Sequence, residues 1–366
     1  MSQSLNHLFR LVWSKAHMCW VPVAEFSRAT SHKTRTATAL TAATISCLTQ
    51  AAPTEGVVTA GSASISQNGS QTLISQQSNT ASLNWQSFNI NKGETVTFKQ
   101  PSQQSLAVNR IADVNGTKIH GSLNANGQVW LINPNGVLFG ESAQVNVGGI
   151  VATTLEHTKQ NGKDLFSGDS TAKIINKGTI NAADYAAFIA HQVSNEGLIT
   201  ARLGTVALAG GSAVKVTFDD NRLLSVQVTK SKLNALAENH QLLMADGGQV
   251  IMNAGAKDSL LASAVNNTGI VSATTVEYRE GKIILLGGMV AGTTSVSGTL
   301  DVSAAKGNAG FIETSAANID IDKNVNIKIR SNKGKGGHWL IDPQNLVIGD
   351  GTGTSIAAST ISTALA

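Results

Sequence analysis

Asn195-Glu-Gly-Leu-Ile-Thr-Ala201 is followed, three residues on, by Gly204-Thr-Val-Ala-Leu-Ala-Gly210. Both pieces recur. The first, Asn-x-Gly-x-(Ile/Leu/Val)-x-Ala, returns as Asn176-Lys-Gly-Thr-Ile-Asn-Ala182 and Asn267-Thr-Gly-Ile-Val-Ser-Ala273. Asn239-His-Gln-Leu-Leu-Met-Ala245 is a degenerate copy with Gln241 in the glycine place, and His120-Gly-Ser-Leu-Asn-Ala125 and Ser297-Gly-Thr-Leu-Asp-Val302 are weaker ones. The second piece returns as Gly248-Gln-Val-Ile-Met-Asn-Ala254 and Gly281-Lys-Ile-Ile-Leu-Leu-Gly287. The first glycine position precedes the second by seven residues at 197 and 241, and by twelve at 269 and 298. Alternating residues are apolar, as in strands with one buried face.

The copies centred on 178, 197, 241, 269 and 298 are 19, 44, 28 and 29 residues apart. One strand-turn-strand unit cannot bury its own apolar face, but a stack of such units buries a continuous core. The asparagine at each turn entry is placed to bond the asparagine of the next copy, and glycine supplies the backbone freedom of the corners. An antiparallel sandwich also uses short strands, yet the Asn-Gly units keep the same neighbours, as stacked equivalents do. The expected fold class is all-β, a parallel β-helix, right-handed by the general preference of parallel crossovers. The long 44-residue step holds two strand-like runs around Asp219-Asp-Asn-Arg222, which predicts an extra-helical hairpin; Lys230 to Glu238 is expected to return to the stack through one or two helical turns.

The chain has 366 residues, of which 14% are charged and 35 are glycine. This is not the composition of a disordered chain and suits a β protein with many turns. Five of the 27 basic residues and one of the 23 acidic ones fall in the first 51 positions, leaving 22 of each in the body. The basic pI therefore belongs to the leader, and a neutral body argues against nucleic-acid binding.

Within that leader, ATALTAATISCLTQA at 37–51 is modestly apolar, is preceded by Lys33 and Arg35, and ends with small residues at the positions a signal peptidase reads. It predicts a secretory signal cut between Ala51 and Ala52. No later apolar run approaches the ~18 residues of a membrane-crossing helix. Both cysteines, Cys19 and Cys47, lie in the leader. A lipoprotein anchor at Cys47 is disfavoured by the Thr44-Ile45-Ser46 before it.

GQVWLINPNGVLFG at 127–140 sets two apolar runs around a breaker. Asn133-Pro134-Asn135-Gly136 fits a type I turn at every place, so the flanking runs are expected to be adjacent strands.

Two stretches carry a family resemblance. Phe9-Arg10-Leu11-Val12-Trp13 with Trp20-Val21-Pro22-Val23-Ala24-Glu25-Phe26 resembles the extended signal region of large Gram-negative exoproteins. The segment from Trp85 to Ser102, Ala107-Val-Asn-Arg-Ile111 and 127–140 together resemble the filamentous-haemagglutinin-like secretion domain of two-partner secretion exoproteins. Gly337-His-Trp-Leu-Ile-Asp-Pro343 looks like its continuation. The NPNL motif of the filamentous haemagglutinin branch is missing; Lys99-Gln-Pro-Ser102 and Ala107-Val-Asn-Arg110 stand in its region. That places the chain nearer the branch of high-molecular-weight adhesins and haem–haemopexin utilisation proteins. The resemblance implies a right-handed β-helix and a secretion motif at Asn133, Pro134, Asn135 and Gly136. It also implies export by the Sec machinery across the inner membrane, then through an outer-membrane partner transporter to the cell surface or medium. A body without cysteines suits a chain that threads such a pore.

The implied organisation is an extended signal peptide at 1–51, a secretion domain at 52–300 and a continuing β-helix at 301–366. The Ser/Thr/Ala-rich end shows no capping element, which is expected of a truncated stalk. Neither a Cys/His ligand cluster, nor HExxH, nor a phosphate-binding loop is present, and no cofactor is expected. Asp219, Asp220 and Arg222 are the best local set for a polysaccharide-acting β-helix enzyme, though a solvated hairpin tip explains them more simply. The expected function is a non-enzymatic adhesin or haemagglutinin acting at the host-cell surface. The alternatives are a haem-scavenging exoprotein that meets a haem-carrier protein, or a toxin-delivery exoprotein with the same module.

Overall fold

The repeat copies lie on one another in register. Thr179 pairs with Leu198, Leu198 with Leu242, Leu242 with Ile270, and Ile270 with Thr299, all in parallel. The second pieces follow suit: Thr205–Gly210, Gln249–Ala254 and Lys282–Leu286 form one parallel ladder. The structure, a computed structural model, describes residues 9–14, 19–24, 52–219, 223–349 and 355–365. It divides into Met1–Leu48 and Thr49–Ala366. In the first unit, strands Phe9–Ser14 and Cys19–Ala24 pair antiparallel, with Trp13 opposite Trp20.

The second unit is the right-handed parallel β-helix expected from the repeats. Each full coil visits three faces. Gln192–Asn195 lies on a sheet of eight short strands, Leu198–Thr200 on the next face and Thr205–Gly210 on the third. The longer strands Gln144–Thr153 and Thr179–Ala190 run through the last two faces and join them into one sheet. Inside, Leu123, Val145, Ile180, Ile199, Leu243, Val271 and Leu300 form a fully buried column, one side chain per coil. Burying each such side chain contributes about 1.5–3 kcal/mol relative to exposure.

Buried asparagines close the corner between the first two faces. Asn176 Nδ2 donates to Asn195 Oδ1, Asn195 Nδ2 to Asn239 Oδ1, and Asn239 Nδ2 to Asn267 Oδ1, each at 2.8 Å. Each side chain also returns to its own turn, as in the 3.0 Å bond from Asn195 Nδ2 to Gly197 O. All four are inaccessible or nearly so. This ladder is the one the repeat predicts. It stops where Val296 takes the asparagine place opposite Asn267.

The 44-residue step does hold an antiparallel hairpin, Ala213–Phe218 with Leu224–Lys230. A second hairpin, Glu156–Gln160 with Lys163–Ser167, joins it through the pairing of Lys163–Ser167 with Ala213–Phe218. The resulting four-stranded sheet covers the outside of the third face. Phe166, Val214, Val216, Leu224 and Val226 pack there against Trp130, Val151, Ala187, Ala207 and Ala209. The small alanines let the second layer approach closely.

Two expectations need correction. The return from the hairpin is not helical: a turn at Leu233 and Asn234 leads into strand Ala235–Asn239. Asn234 takes the left-handed conformation, φ +59°, and Ala235, Ala237 and Asn239 face inward at the two-residue period of a strand. The runs flanking NPNG are consecutive but do not pair with each other: Gln128–Ile132 and Val137–Phe139 belong to different sheets, so NPNG turns the chain from one face of the stack to another. The Ser/Thr/Ala-rich stretch forms a helix, Ala358–Leu365; Ile356 before it is fully buried and Ile361 packs on the stack core.

At the other end, Val57–Ala60 pairs antiparallel with Thr80–Trp85, and Ala63–Asn68 pairs antiparallel with Gln71–Gln76, which itself joins Thr95–Lys99 in parallel. This β-cap was not foreseen from the repeats, because it contains no copy of them.

Candidate functional site

The NPNG corner is built from two buried and two exposed residues. Asn133 and Gly136 are buried, while Pro134 and Asn135 face outward. The turn is closed by Gly136 N donating to Asn133 O at 3.0 Å. Inside it, Asn133 Oδ1 accepts from Asn135 N at 2.9 Å, an Asx turn nested in the β-turn. Asn133 Nδ2 donates to Thr117 Oγ1 at 3.0 Å on the preceding coil. Both halves of the buried amide are therefore paired.

Proline fixes φ at the first exposed place. Gly136 takes φ +106°, and an added Cβ there would lie 3.0 Å from Lys173 O of the next coil. A side chain at this position is strained twice over, by its φ and by its neighbour. The exposed rim is tied down from both sides: Asn135 Nδ2 donates to Asp113 O at 3.1 Å, and Ser170 Oγ to Pro134 O at 2.6 Å. The corner presents a rigid Pro134-Asn135 tip over a buried polar base.

The structure also assembles a polar–aromatic cluster that sequence reading did not find. Trp130, inside the NPNG stretch, donates through Nε1 to Tyr185 Oη at 2.9 Å, and Tyr185 donates to Gln128 Oε1 at 2.9 Å. Burial pushes ionisation of the Tyr185 hydroxyl well above its ordinary range, so it remains a donor. His157 stands edge-on to Trp130, with ring centres 4.9 Å apart, and its Nε2 is 2.8 Å from Asp164 Oδ1. These contacts fasten the first extra hairpin to the coil that carries NPNG. Their partners are up to 57 residues apart, and no periodic signal marks them.

The other sequence candidates fall elsewhere. Asp219 Oδ1 accepts from Leu223 N at 2.8 Å within the hairpin tip, whereas Asp220 and Arg222 lie outside the described residues. A groove beside the second hairpin is lined in part by Lys257, Glu313 and Asp342, and Glu313 Oε1 is taken by Ser315 Oγ at 2.9 Å. Among the described residues, no group of three His, Cys, Asp or Glu side chains is placed to hold a metal ion. Ala51 lies outside the described residues. Ala52 is buried, and its backbone N is 3.1 Å from Glu94 Oε2.

Comparison with known proteins gives these features a context. Residues 49–302 match the family TPS secretion domain, and residues 6–53 match the Extended Signal Peptide of Type V secretion system. Two curated relatives are each named heme/hemopexin-binding protein. One, from Haemophilus influenzae strain Rd, is 34% identical over 246 residues, covering 64% of this chain and 27% of the relative. The other, also from Haemophilus influenzae, is 29% identical over 290 residues, covering 71% and 30%. The chain spans less than a third of the length of these relatives. Among solved structures, the HMW1 secretion domain from Haemophilus influenzae matches with a TM-score of 0.62 at 22% identity, over 83% of this chain and 99% of that one, a likeness of fold. The leader and domain together mark a protein secreted through the outer membrane. Because the domain family spans well over half its residues, directly behind the signal-peptide family, the chain belongs to the TPS secretion-domain family of two-partner secretion exoproteins.

Proposed function

We propose that this chain is the export-directing part of an adhesin-type exoprotein, recognised by an outer-membrane partner transporter at the NPNG corner. The family match over residues 49–302 carries this reading. The corner supports it, because Pro134 and Asn135 stand rigid and exposed while their neighbours hold the fold. The Sec machinery takes the chain across the inner membrane, a peptidase removes residues 1–51 after Ala51, and residues 301–366 continue the stack outward. The chain acts without catalysis, by presenting a long surface.

The test is secretion from cells with and without the partner transporter, followed by mass spectrometry of the exported material. The expected result is export only with the partner and an amino terminus at Ala52. Equal export without the partner, or an intact Met1 on a cytoplasmic protein, contradicts the reading.

A second reading, a haem-scavenging exoprotein, is favoured by the names of the two curated relatives. It predicts that the exported protein retains haemopexin on an affinity column. Passage of haemopexin unretained leaves the adhesin reading in place.

A further inference from the structure

Among the described residues, Ala52 is the first at which the chain entering the β-helix is tied down. Thr54 N donates to Ser87 O at 2.9 Å, Gln86 N to Thr54 O at 3.1 Å, and the hydroxyls of Thr54 and Ser87 are 2.8 Å apart. Two residues earlier, Ala52 is only 4% exposed, and its N lies 3.1 Å from Glu94 Oε2. The same carboxylate oxygen accepts from Asn91 N at 2.7 Å, across a turn that Glu94 N closes on Asn91 O at 2.9 Å. Glu94 is thus held by its own turn with its charge directed at the backbone nitrogen of Ala52. That carboxylate has no ion pair among the described residues.

Ala52 also has φ +79°, a left-handed conformation that an alanine rarely adopts. The angle φ exists only while Ala51 is attached. Two features therefore make sense together if the Ala51–Ala52 bond is temporary: a strained residue, and at its nitrogen a carboxylate with no ion pair among the described residues.

We propose that Glu94 is the binding site for the new α-ammonium made when the leader is cut off. This rests on the reading that cleavage falls after Ala51. In the cut, water adds across the peptide bond. The Ala51 carbonyl carbon keeps the oxygen as a carboxylate, the C–N bond breaks, and Ala52 leaves as –NH3+. A hydrogen bond charged only on the Glu94 side becomes an ion pair charged on both, in a half-buried setting, the stronger kind of contact. The φ strain at Ala52 ends in the same step. The amino-terminal cap of the stack gains its tightest anchor only after the leader has gone. A cut one residue earlier or later moves the ammonium by about one Cα–Cα step of 3.8 Å and loses the pairing.

The experiment is a double-mutant cycle on the processed protein, the form that the cut leaves. Four chains are compared by urea denaturation: beginning at Ala52 or at Ala51, each with Glu94 or Glu94→Gln. Glutamine keeps an oxygen for Asn91 N and removes only the charge. The expected result is a drop of about tenfold in the folded-to-unfolded ratio for Glu94→Gln in the Ala52 chain, and a much smaller one in the Ala51 chain. As a second readout, the α-amine of the folded Ala52 chain should be acylated slowly, and faster in Glu94→Gln. Equal losses in both chains, with no difference in acylation, overturn the docking site. Amino-terminal analysis of the secreted protein separates the two ideas. A terminus other than Ala52 overturns the cleavage reading along with the docking, whereas Ala52 with equal losses overturns the docking alone.

Discussion

Asn195→Ala is expected to destabilise the folded body by about 3–4 kcal/mol, among the larger effects of any single side chain. Asn195 sits in the middle of the buried ladder. Its carbonyl accepts from Asn176 Nδ2, and its amide donates to Asn239 Oδ1 and Gly197 O. Truncation leaves a donor above and an acceptor below without their best partners, where no water replaces them. Each orphaned buried group costs about 1–3 kcal/mol. Such networks fail as units, because each amide polarises the next. Asn267→Val is the internal comparison. Asn267 ends the ladder, and valine already stands at 296 in the next coil. It loses the bond from Asn239 Nδ2 and one to Gly269 O, so a cost of about 1–2 kcal/mol is expected. Urea or thermal denaturation of the purified variants measures both. If Asn195→Ala melts like the parent, the ladder decorates the stack and does not hold it.

Export should respond most strongly at the NPNG corner, and the structure sharpens which residue to change. Asn133→Ala removes the Asx bond to Asn135 N and the bond to Thr117 Oγ1. The expected cost is about 2 kcal/mol, which a core of this size survives, so the purified variant remains folded with a lowered melting temperature. Secretion through the partner should fall by about tenfold or more, the equivalent of ~1.4 kcal/mol at the recognition step. Asn135→Ala separates recognition from folding. Its side chain is exposed and gives up only the bond to Asp113 O. Stability should stay within about 0.5 kcal/mol of the parent, as for most surface changes. If the transporter reads the tip, export falls in this variant too. Normal export of Asn135→Ala together with a folding failure of Asn133→Ala makes the corner structural only.

Much of this molecule was legible before any coordinates. The Asn-x-Gly copies announced both the stack and its register, because a repeated local pattern has one way to bury a continuous apolar column. Their asparagines met at the spacing the copies implied. Asn133-Pro134-Asn135-Gly136 could be read as a self-bonded turn because all of its determinants lie within four residues. The charge asymmetry, the cysteine positions and the apolar run of the leader were likewise properties of adjacent residues.

Tertiary structure decided what has no period. The two hairpins join through Lys163–Ser167 and Ala213–Phe218, which no spacing rule connects, and they meet because the third face presents Trp130, Ala187 and Ala207 to be covered. Ala235–Asn239 became a strand against its helix-forming composition, since the stack offered ladder partners on both sides and buried its alternate residues. The chain's turn from one sheet to another at NPNG, the Trp130–Tyr185–Gln128 bonds and the approach of Ala52 to Glu94 depend on which coils happen to stack. Local sequence sets what each coil can be; burial of one coil against the next sets which distant residues meet.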